Sequence, residues 1–423
     1  MSIQPARRFN KLHEKILLSS LFSFFLGWLI IVAAPFVAHV GLRGFEFIDR
    51  GQYNAFILIN VSFIICFLWN NRFAGRYPGS RPIFLLGPQI LTVYILGILS
   101  TFLLQGQASR IIIITSGIAA FLWLHIEYIL TYKYRITKLA ILDQPTTREL
   151  LKLPDVDARA VTIGTFSGTR YDAVVADFKT ITPDQQRFLT KCTLERIPVY
   201  NAEQVFESIT GRVRIRHMSE NNIGSLLPSR TYEQLKIIFD LLVILISLPI
   251  WLPVVLITAA LVKLESPGPA FYTQVRIGQG NKPFTIYKIR SMRFDIAAPE
   301  RFAGEDDPRI TRIGAVIRKL RIDELPQFLN ILKLQMSLIG PRPEQPSFVE
   351  QFNEKIPFYS YRHVVKPGIT GWAQVRYGYA ANTDETQIKI EHDFYYIKHC
   401  SLIFDFYIAL LTLRTMITGF GAR

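Results

Sequence analysis

Cysteine and charged side chains are both scarce in this chain. Its three cysteines, Cys66, Cys192 and Cys400, lie far apart and form no paired spacing. They provide neither a disulfide framework nor a zinc-binding pattern, which is typical of a protein in a reducing compartment. Charged residues make up 19% of the 423 residues and hydrophobic residues 50%. This balance excludes a disordered or fibrous protein and is too apolar for an ordinary soluble enzyme.

The chain also has fewer acidic than basic residues. The chain has 33 Asp and Glu against 48 Lys and Arg, which gives a formal net charge of +15. Such a charge suits anionic partners. Because the apolar residues are concentrated in the first third, we expect these partners to be membrane lipids and phosphorylated substrates, and we predict no nucleic-acid partner.

Four apolar stretches occupy the first 132 residues, at about 16–40, 55–69, 83–104 and 111–132. Each supplies the roughly 20 apolar residues that a bilayer-spanning helix needs, the second one if residues 52–54 are included. The first is too long for a cleaved signal peptide. No charged residue lies in the middle of a stretch apart from His125 and Glu127, near the inner end of the fourth, and we expect these two to lie near the interface or to contact another helix.

The basic residues of the connecting loops predict how these helices are oriented. Lys and Arg cluster before the first stretch, between the second and third, and after the fourth, whereas the other two loops are poorer in them. The positive-inside rule therefore places the amino terminus and everything after residue 133 in the cytoplasm.

Residues 136–228 are predicted to form a small α/β domain. Short apolar runs at 139–142, 160–164, 173–177 and 197–200 alternate with polar, helix-like segments, as in a parallel sheet. A dinucleotide site would need a glycine-rich turn after the first strand, but Asp143, Gln144 and Pro145 follow it. We therefore expect a structural, regulatory or oligomerising role, and the domain is a candidate homodimer surface.

A fifth apolar segment, residues 235–262, has Pro249 and Pro253 near its centre. Interior proline removes a helix hydrogen bond and kinks the helix. Lys236 and Lys263 flank the segment, so the positive-inside rule holds both of its ends on the same face of the membrane. We predict a re-entrant helix that enters, breaks at the prolines and returns. The alternative is a fifth transmembrane helix with a proline kink.

Three clusters of basic and acidic residues follow this segment. Their chemically interesting members are Arg276, Lys288, Arg290, Arg318, Asp323, Glu324, Arg342 and Gln374. Taken singly each cluster is weak, because an acidic pair often starts a solvated helix and a basic run often anchors to anionic lipid. Cations from several places in the chain that converge on one acidic pair, however, suit a site for a diphosphate.

The acidic pair Asp323 and Glu324 can supply the chemistry of such a site. One carboxylate can attack phosphorus and form an acyl phosphate, while the other can help to hold Mg²⁺. A position beside a membrane helix implies one water-soluble substrate and one lipid substrate.

Residues from about 232 to 423 resemble the bacterial sugar transferases, also called monotopic phosphoglycosyl transferases. The motifs that carry the resemblance include Asp323-Glu324, Pro341-Arg342-Pro343 and Lys366-Pro367-Gly368. The whole layout is similar to the large polyprenyl-phosphate hexose-1-phosphate transferases. These enzymes start exopolysaccharide and O-antigen synthesis, the latter for lipopolysaccharide, in the bacterial inner membrane.

The resemblance implies ping-pong chemistry. Asp323 would attack the β-phosphate of a UDP-sugar, release UMP and pass the phosphosugar to undecaprenyl phosphate. Glu324 would support the nucleophile, and both carboxylates would hold Mg²⁺. The family layout favours glucose or galactose as the sugar.

The resemblance also implies the residues that bind substrate. Lys288 and Arg318 would contact phosphates, and Arg342 would contact the nucleotide side. Arg276, Arg290 and Gln374 complete the predicted substrate-binding set.

Many members of this family break the re-entrant helix at a Ser-Pro pair, but here Leu252 precedes Pro253. We expect the freed backbone carbonyls to be satisfied by interfacial helices of the catalytic domain, including residues 402–417. The predicted architecture is a transmembrane domain (1–135), a degenerate Rossmann-like α/β domain (136–228) and a mainly α-helical catalytic domain (229–423).

Two other functions remain as alternatives. One is an inactive membrane scaffold or regulator of polysaccharide assembly, against which the intact acidic pair argues. The other is a transporter of the lipid-linked sugar, which would need polar residues within the spans that the first four stretches lack.

Overall fold

The computed structural model describes residues 19–41, 49–73, 83–103, 108–134, 137–153, 156–163, 171–215, 227–293, 309–378 and 383–418. The chain divides into two compact units, Met1–Thr210 and Gly211–Arg423. The division into three domains at 135/136 and 228/229 stays a prediction. Most of the loop residues whose charges predict the membrane orientation lie outside the described residues.

All four predicted apolar stretches are helical over the residues that the structure describes. Their bounds are Ser20–Trp28, a π-helical turn at Leu29–Ala33, Ala34–Val40, Arg50–Phe73, Ile83–Leu103 and Arg110–Tyr134. By length and composition, Ser20–Val40, Arg50–Asn70 and Arg110–Leu130 could each cross a membrane, as could Arg230–Glu265 further along the chain. The helix Ile83–Leu103 has 21 residues, and Gln89–Thr101 within it is apolar.

Polar contacts join these helices to one another. Pro35 has no amide proton for the carbonyl of Ile31, and the Ser116 hydroxyl donates to that oxygen at 2.7 Å. The Ser23 hydroxyl donates to the Glu127 carboxylate, so the predicted helix-to-helix contact of Glu127 is confirmed. Such contacts satisfy polar groups that lipid cannot.

The predicted parallel sheet of the middle segment is confirmed. Its strands are β1 (Thr137–Leu142), β2 (Val156–Val161), β3 (Ala173–Ala176) and β4 (Val199–Asn201), in the order β2-β1-β3-β4. A 3₁₀ helix, Arg148–Lys152, lies between β1 and β2, and the helices Pro183–Leu194 and Ala202–Thr210 precede and follow β4. Strand β3 is buried along its whole length, as expected for a strand covered on both faces.

Polar side chains close the crevice between the carboxyl ends of β1 and β3. The chain leaves β1 for β2 on one side and returns to β3 on the other, so this is the switch point where α/β sheets bind ligands. The Gln144 amide donates to the Asp177 carbonyl at 3.1 Å and accepts from the Asp177 amide at 2.7 Å. The Thr146 hydroxyl donates to the Asp177 carboxylate at 2.8 Å. We call Gln144, Thr146 and Asp177 the polar plug.

The second unit combines helices with two small sheets. The helices are Arg230–Glu265, Arg312–Lys319, Phe328–Leu332, Pro346–Lys355, Trp372–Arg376, Thr383–His399 and Leu402–Thr418. The 3₁₀ helices are Gln279–Asn281, Ile322–Gln327 and Tyr359–Val364. Strands β5 (Phe271–Ile277) and β6 (Pro283–Ile289) form an antiparallel hairpin, and β7 (Ser337–Ile339) pairs in parallel with β8 (Gly368–Thr370).

This unit starts before the predicted boundary at residue 229. The Trp372 indole donates to the Gly211 carbonyl at 2.8 Å, and the Val213 amide donates to the Glu391 carbonyl at 3.0 Å. Ile215 is buried in the same apolar core as Trp372. Residues 211–215 therefore belong structurally to the second unit.

The segment predicted to break at its prolines is one continuous helix, Arg230–Glu265, which contains Pro249 and Pro253. We call it the long helix. The Ser247 hydroxyl donates to the Val243 carbonyl at 2.6 Å, and the Trp251 indole donates to the Ile244 carbonyl at 3.1 Å. Pro249 and Pro253 leave the carbonyls of Leu245 and Pro249 without an amide donor, so these two bonds do not test the expected role of residues 402–417, which stays a prediction.

One side of the long helix packs against the rest of the second unit along most of the helix. The Lys236 ammonium pairs with Asp405 at 2.8 Å, the Ser337 hydroxyl donates to Asp240 at 2.6 Å, and the Ile313 amide donates to Glu265 at 3.1 Å. Near its middle, Trp251 packs edge-on against Phe328 at 5.4 Å between ring centroids. The other side exposes large apolar residues, among them Ile246, Ile250, Leu256 and Leu264.

Candidate active site

A short 3₁₀ helix, Ile322–Gln327, presents Asp323 and Glu324 in its first turn. Arg321, just before it, adopts a left-handed conformation with φ of 54° and separates it from the helix Arg312–Lys319. Pro326 has no amide proton to donate to the Ile322 carbonyl, so a regular α-helix is not available here. The local sequence thus forces the turn that presents the two carboxylates, which we call the dyad.

Two residues bring strand β6, which carries Lys288, next to the dyad. A Cβ atom on Gly314 would lie 2.0 Å from the Ser291 carbonyl oxygen, so only glycine lets the helix before the dyad approach the end of β6 this closely. Asn330, which is fully buried, donates to the Thr285 carbonyl at 2.7 Å and accepts from the Tyr287 amide at 3.3 Å. These contacts hold β6 against the chain just before the dyad and against the chain just after it.

Three cations surround Glu324, which is only 5% exposed. Its Oε1 atom lies 2.9 Å from the Lys288 ammonium and 3.0 Å from the Arg342 guanidinium, and its Oε2 atom lies 3.7 Å from Arg321. Burial alone would raise the pKa of Glu324, but the positive charges of Lys288, Arg342 and Arg321 outweigh it and hold the pKa well below its usual range. Glu324 is therefore a fixed negative charge.

Asp323 has a different environment from its neighbour. It is half-buried, and no described residue forms a hydrogen bond or an ion pair with it. Burial and the negative charge of Glu324 raise the pKa of Asp323, although the charges of Lys288, Arg318 and Arg342 counteract the increase. The dyad thus consists of one carboxylate that is held by cations and one that is not.

Arg342 reaches the dyad from the turn that follows β7. A Cβ atom on Gly368 would lie 2.1 Å from the Gly340 nitrogen, so a side chain there would push β8 away from the start of this turn. Pro341 and Pro343 are both buried and restrict the backbone on either side of Arg342. The arginine side chain, 36% exposed, is left to reach Glu324.

The structure therefore brings Lys288, Arg318 and Arg342 to the predicted dyad. Arg290 and Arg276 instead contact other groups. Arg290 donates to the Ser266 carbonyl at 2.8 Å and the Pro267 carbonyl at 2.5 Å, so it clamps the end of the long helix, and its substrate-binding role stays a prediction. Arg276 pairs with Glu344 at 3.7 Å.

Gln374 was predicted to bind substrate, whereas Arg321 and Asn330 are two residues of the site that the sequence did not indicate. The Gln374 amide is buried, and neither of its polar atoms has a hydrogen-bond partner among the described residues. Arg321 and Asn330 were not predicted. Arg321 could have been found from its position three residues before Glu324, whereas the role of Asn330 depends on a tertiary contact that no local pattern encodes.

The dyad also fits part of a Mg²⁺ site. The described residues contain no group of three or more His, Cys, Asp or Glu that could hold a metal. Mg²⁺, however, is commonly bound by one or two carboxylates together with substrate phosphates. Glu324 Oε2 is buried and accepts no hydrogen bond from the described residues, so it and Asp323 fit as the protein ligands of such an ion.

Known proteins with similar sequences carry related names. Residues 231–419 match the family described as bacterial sugar transferase. A UDP-N-acetylgalactosamine-undecaprenyl-phosphate N-acetylgalactosaminephosphotransferase from Aeromonas hydrophila is 45% identical over 420 residues, which is 99% of each chain.

Two further relatives match over a smaller part of this chain. A UDP-glucose:undecaprenyl-phosphate glucose-1-phosphate transferase from Escherichia coli is 40% identical over 42% of this chain and 38% of its own length. Another protein with that name, from Caulobacter vibrioides, is 38% identical over 46% of this chain and 74% of its own length.

Proposed function

Because the chain belongs to the bacterial sugar transferase family, we propose that it transfers a sugar-1-phosphate from a UDP-sugar to undecaprenyl phosphate and releases UMP. The observation that carries this proposal is the asymmetry of the dyad. Glu324 is held by three cations, while Asp323 forms no hydrogen bond with any described residue. Two adjacent carboxylates whose pKa values are shifted in opposite directions suit two different roles in one reaction.

In the first step, an Asp323 oxygen attacks the β-phosphorus of the UDP-sugar. The bond between that phosphorus and the bridging oxygen breaks, and UMP leaves with the electron pair. The product is an acyl phosphate that joins the sugar-1-phosphate to Asp323. A raised pKa makes the Asp323 carboxylate more basic, and therefore more nucleophilic, than an ordinary aspartate.

In the second step, a phosphate oxygen of undecaprenyl phosphate attacks the same phosphorus and displaces the Asp323 carboxylate. The lipid diphosphate sugar is released and the free enzyme is restored. Lys288, Arg318 and Arg342 provide positive charge near Asp323 for the phosphate oxygens in both steps. Mg²⁺ held by Asp323 and Glu324 would offset phosphate charge when it is bound.

The proposed sugar is N-acetylgalactosamine. Glucose or galactose is what the resemblance alone favours. The relative named for N-acetylgalactosamine, however, matches 99% of this chain, whereas the two named for glucose match 42% and 46% of it. Similarity that extends over both units supports the sugar of that relative more strongly than similarity limited to one unit.

The proposed location is the bacterial inner membrane, with the dyad on the cytoplasmic side and the long helix re-entrant. Lys236, near the amino end of the long helix, and Glu265, at its carboxyl end, both contact the unit that carries the dyad. A helix that crossed the roughly 30 Å hydrocarbon core would place its two ends on opposite sides of the membrane, whereas a helix kinked at Pro249 and Pro253 can return both ends to one side. The exposed apolar side of the long helix would face lipid, and the product would enter exopolysaccharide or O-antigen synthesis.

Single-cysteine labelling in intact cells tests this topology. Ser229 and Pro269, on either side of the long helix, are both exposed, whereas Ser266 is 8% exposed and bonded to Arg290. Ser229→Cys and Pro269→Cys should both stay unlabelled by an impermeant reagent until the membrane is opened. Labelling of one of the two from the periplasm would refute the re-entrant helix.

The activity is tested with purified protein, undecaprenyl phosphate, Mg²⁺ and a panel of UDP-sugars. We expect UMP release, with the highest kcat/KM for UDP-N-acetylgalactosamine. A higher kcat/KM for UDP-glucose or UDP-galactose would refute the proposed sugar alone. No UMP from any UDP-sugar, with folded protein, would refute the transferase and favour the inactive scaffold.

A further inference from the structure

Arg362 forms a buried ion pair that the proposed reaction does not use. It lies in the 3₁₀ helix Tyr359–Val364 and is 3% exposed, and its partner Asp393 is 1% exposed. The guanidinium lies 2.8 Å from the Asp393 carboxylate, donates to the Tyr359 hydroxyl at 3.1 Å and stands over the Tyr359 ring at 5.5 Å from its centroid. Asp393 and Tyr359 thus fix the guanidinium in one orientation.

The Nη2 atom of this guanidinium, which lies beside Asp393, also contacts the turn that carries Arg342. Arg362 Nη2 donates to the main-chain carbonyl of Arg342 at 2.8 Å. The neighbouring carbonyls are also occupied, since Pro341 accepts from the Gly368 amide at 2.9 Å and Pro343 accepts from Arg276 at 3.4 Å. The bond from Arg362 is the one of these three that ends on the residue whose side chain contacts Glu324.

Stability is a weak explanation for this arrangement. A buried ion pair is commonly no more stabilising than apolar residues of the same size, because both charges lose their hydration. Arg362 is held by Asp393 and Tyr359 and also donates to Arg342, a residue of the site. These contacts are better explained as a means of orienting Arg342, for which the planar guanidinium is suited.

We propose that Arg362, fixed by Asp393 and Tyr359, is a positioning residue that aims the Arg342 guanidinium at Glu324. The inference rests on the proposed function, because it concerns the cation that acts on the transferring phosphate. If it is correct, Arg362 contributes to turnover only through Arg342.

A double-mutant cycle in turnover tests this dependence. Arg342→Ala should slow UMP release by about 100-fold or more, as removal of an electrostatic stabiliser does. Arg362→Lys keeps the charge but loses the fork, and it should slow release by roughly 10- to 100-fold. The double variant should be no slower than Arg342→Ala alone to within about threefold, because interacting residues are not additive.

Arg290→Lys is the matched control, since Arg290 is equally buried at 5% exposure but donates to carbonyls at the end of the long helix. Whatever loss it causes should multiply with that of Arg342→Ala. If the losses from Arg362→Lys and Arg342→Ala multiply in the same way, Arg362 is merely structural and the inference is wrong.

A milder variant covers the case in which Arg362→Lys does not fold. Tyr359→Phe removes one acceptor of the guanidinium and keeps the ring, and it should slow release by a few-fold in the parent but not in Arg342→Ala. An equal effect in both backgrounds would also overturn the inference. A parent protein that neither binds UDP nor releases UMP would refute the proposed function instead, and the cycle could then be read from thermal stability, where coupling between positions 362 and 342 is still expected.

Discussion

The two units each contain a nearly buried acidic residue in a polar cluster, and the two clusters differ in how they are satisfied. Asp177 in the polar plug is 3% exposed, and its carboxylate accepts from the Thr146 hydroxyl and the Lys179 amide. Glu324 in the dyad is 5% exposed and faces three cations, and one of its oxygens accepts no hydrogen bond from the described residues.

This difference is the one expected between a structural cluster and the reactive cluster that we propose. In the polar plug, neutral donors from neighbouring loops satisfy the carboxylate and fill the crevice in which an α/β sheet would bind a ligand. At the dyad, several positive charges meet two carboxylates and leave Asp323 without a hydrogen-bond partner among the described residues. Excess positive charge beside an unbonded carboxylate is what a phosphate-transfer site requires before its substrate arrives.

Replacement of Asp323 should give the largest effect. Asp323→Asn keeps the size of the side chain, but a neutral amide cannot act as the nucleophile at phosphorus. We expect UMP release to fall by about 1,000-fold or more, while the melting temperature stays within a few degrees of the parent protein. Retention of a tenth of the activity would place the nucleophile elsewhere.

The pH dependence should show the coupling between the two carboxylates. Because burial and Glu324 raise the pKa of Asp323, acidification neutralises the nucleophile at a higher pH than the ordinary value of about 4. As the pH is lowered, kcat/KM should therefore begin to fall while the pH is still above that value. Glu324→Gln removes the neighbouring negative charge, so it should move this fall to lower pH while slowing turnover by roughly 100-fold. An unchanged profile would contradict the coupling.

Removal of the first unit should have a smaller effect on the chemistry. The fragment 211–423 contains the whole dyad and its cations, and in detergent we expect it to release UMP within about tenfold of the full chain. A fragment that starts at residue 230 lacks the contacts of Gly211 and Val213 with the carboxyl-terminal helices and should melt at a lower temperature. A folded but inactive 211–423 fragment would show that the first unit contributes to the site.

Replacement of Asp177 should give the smallest effect on activity. Asp177→Asn weakens the polar plug and should lower the free energy of unfolding by about 1–2 kcal/mol. We expect turnover to stay within twofold of the parent protein at a temperature where both are folded. A large loss of turnover with unchanged stability would mean that the polar plug takes part in the function.

The sequence predicted features that depend on local pattern. Apolar length identified the four amino-terminal helices, alternating short runs identified the parallel sheet, and the resemblance to the sugar transferases indicated Lys288, Arg318 and Arg342 as cations near Asp323 and Glu324. The clamp formed by Arg290 and the link formed by Asn330 were not predicted, because each joins residues that are far apart in sequence. A basic residue near a motif has the same sequence pattern whether it binds substrate or a helix end.

The long helix shows the same limit. Two prolines and flanking lysines are visible in the sequence and predicted a break, but the chain stays helical from Arg230 to Glu265. Whether a proline breaks a helix or only kinks it depends on the packing around it, which the Ser-Pro pattern alone does not reveal.

Mass spectrometry of the trapped enzyme tests the central claim most directly. The protein would be mixed with UDP-N-acetylgalactosamine and Mg²⁺ without undecaprenyl phosphate, quenched in acid and digested, with Asp323→Asn as the control. We predict a phosphosugar adduct on the peptide that contains Asp323, formed together with one equivalent of UMP and absent from the variant. Full turnover on addition of the lipid with no adduct detected before it, or an adduct on a different residue, would contradict the proposed covalent role of Asp323.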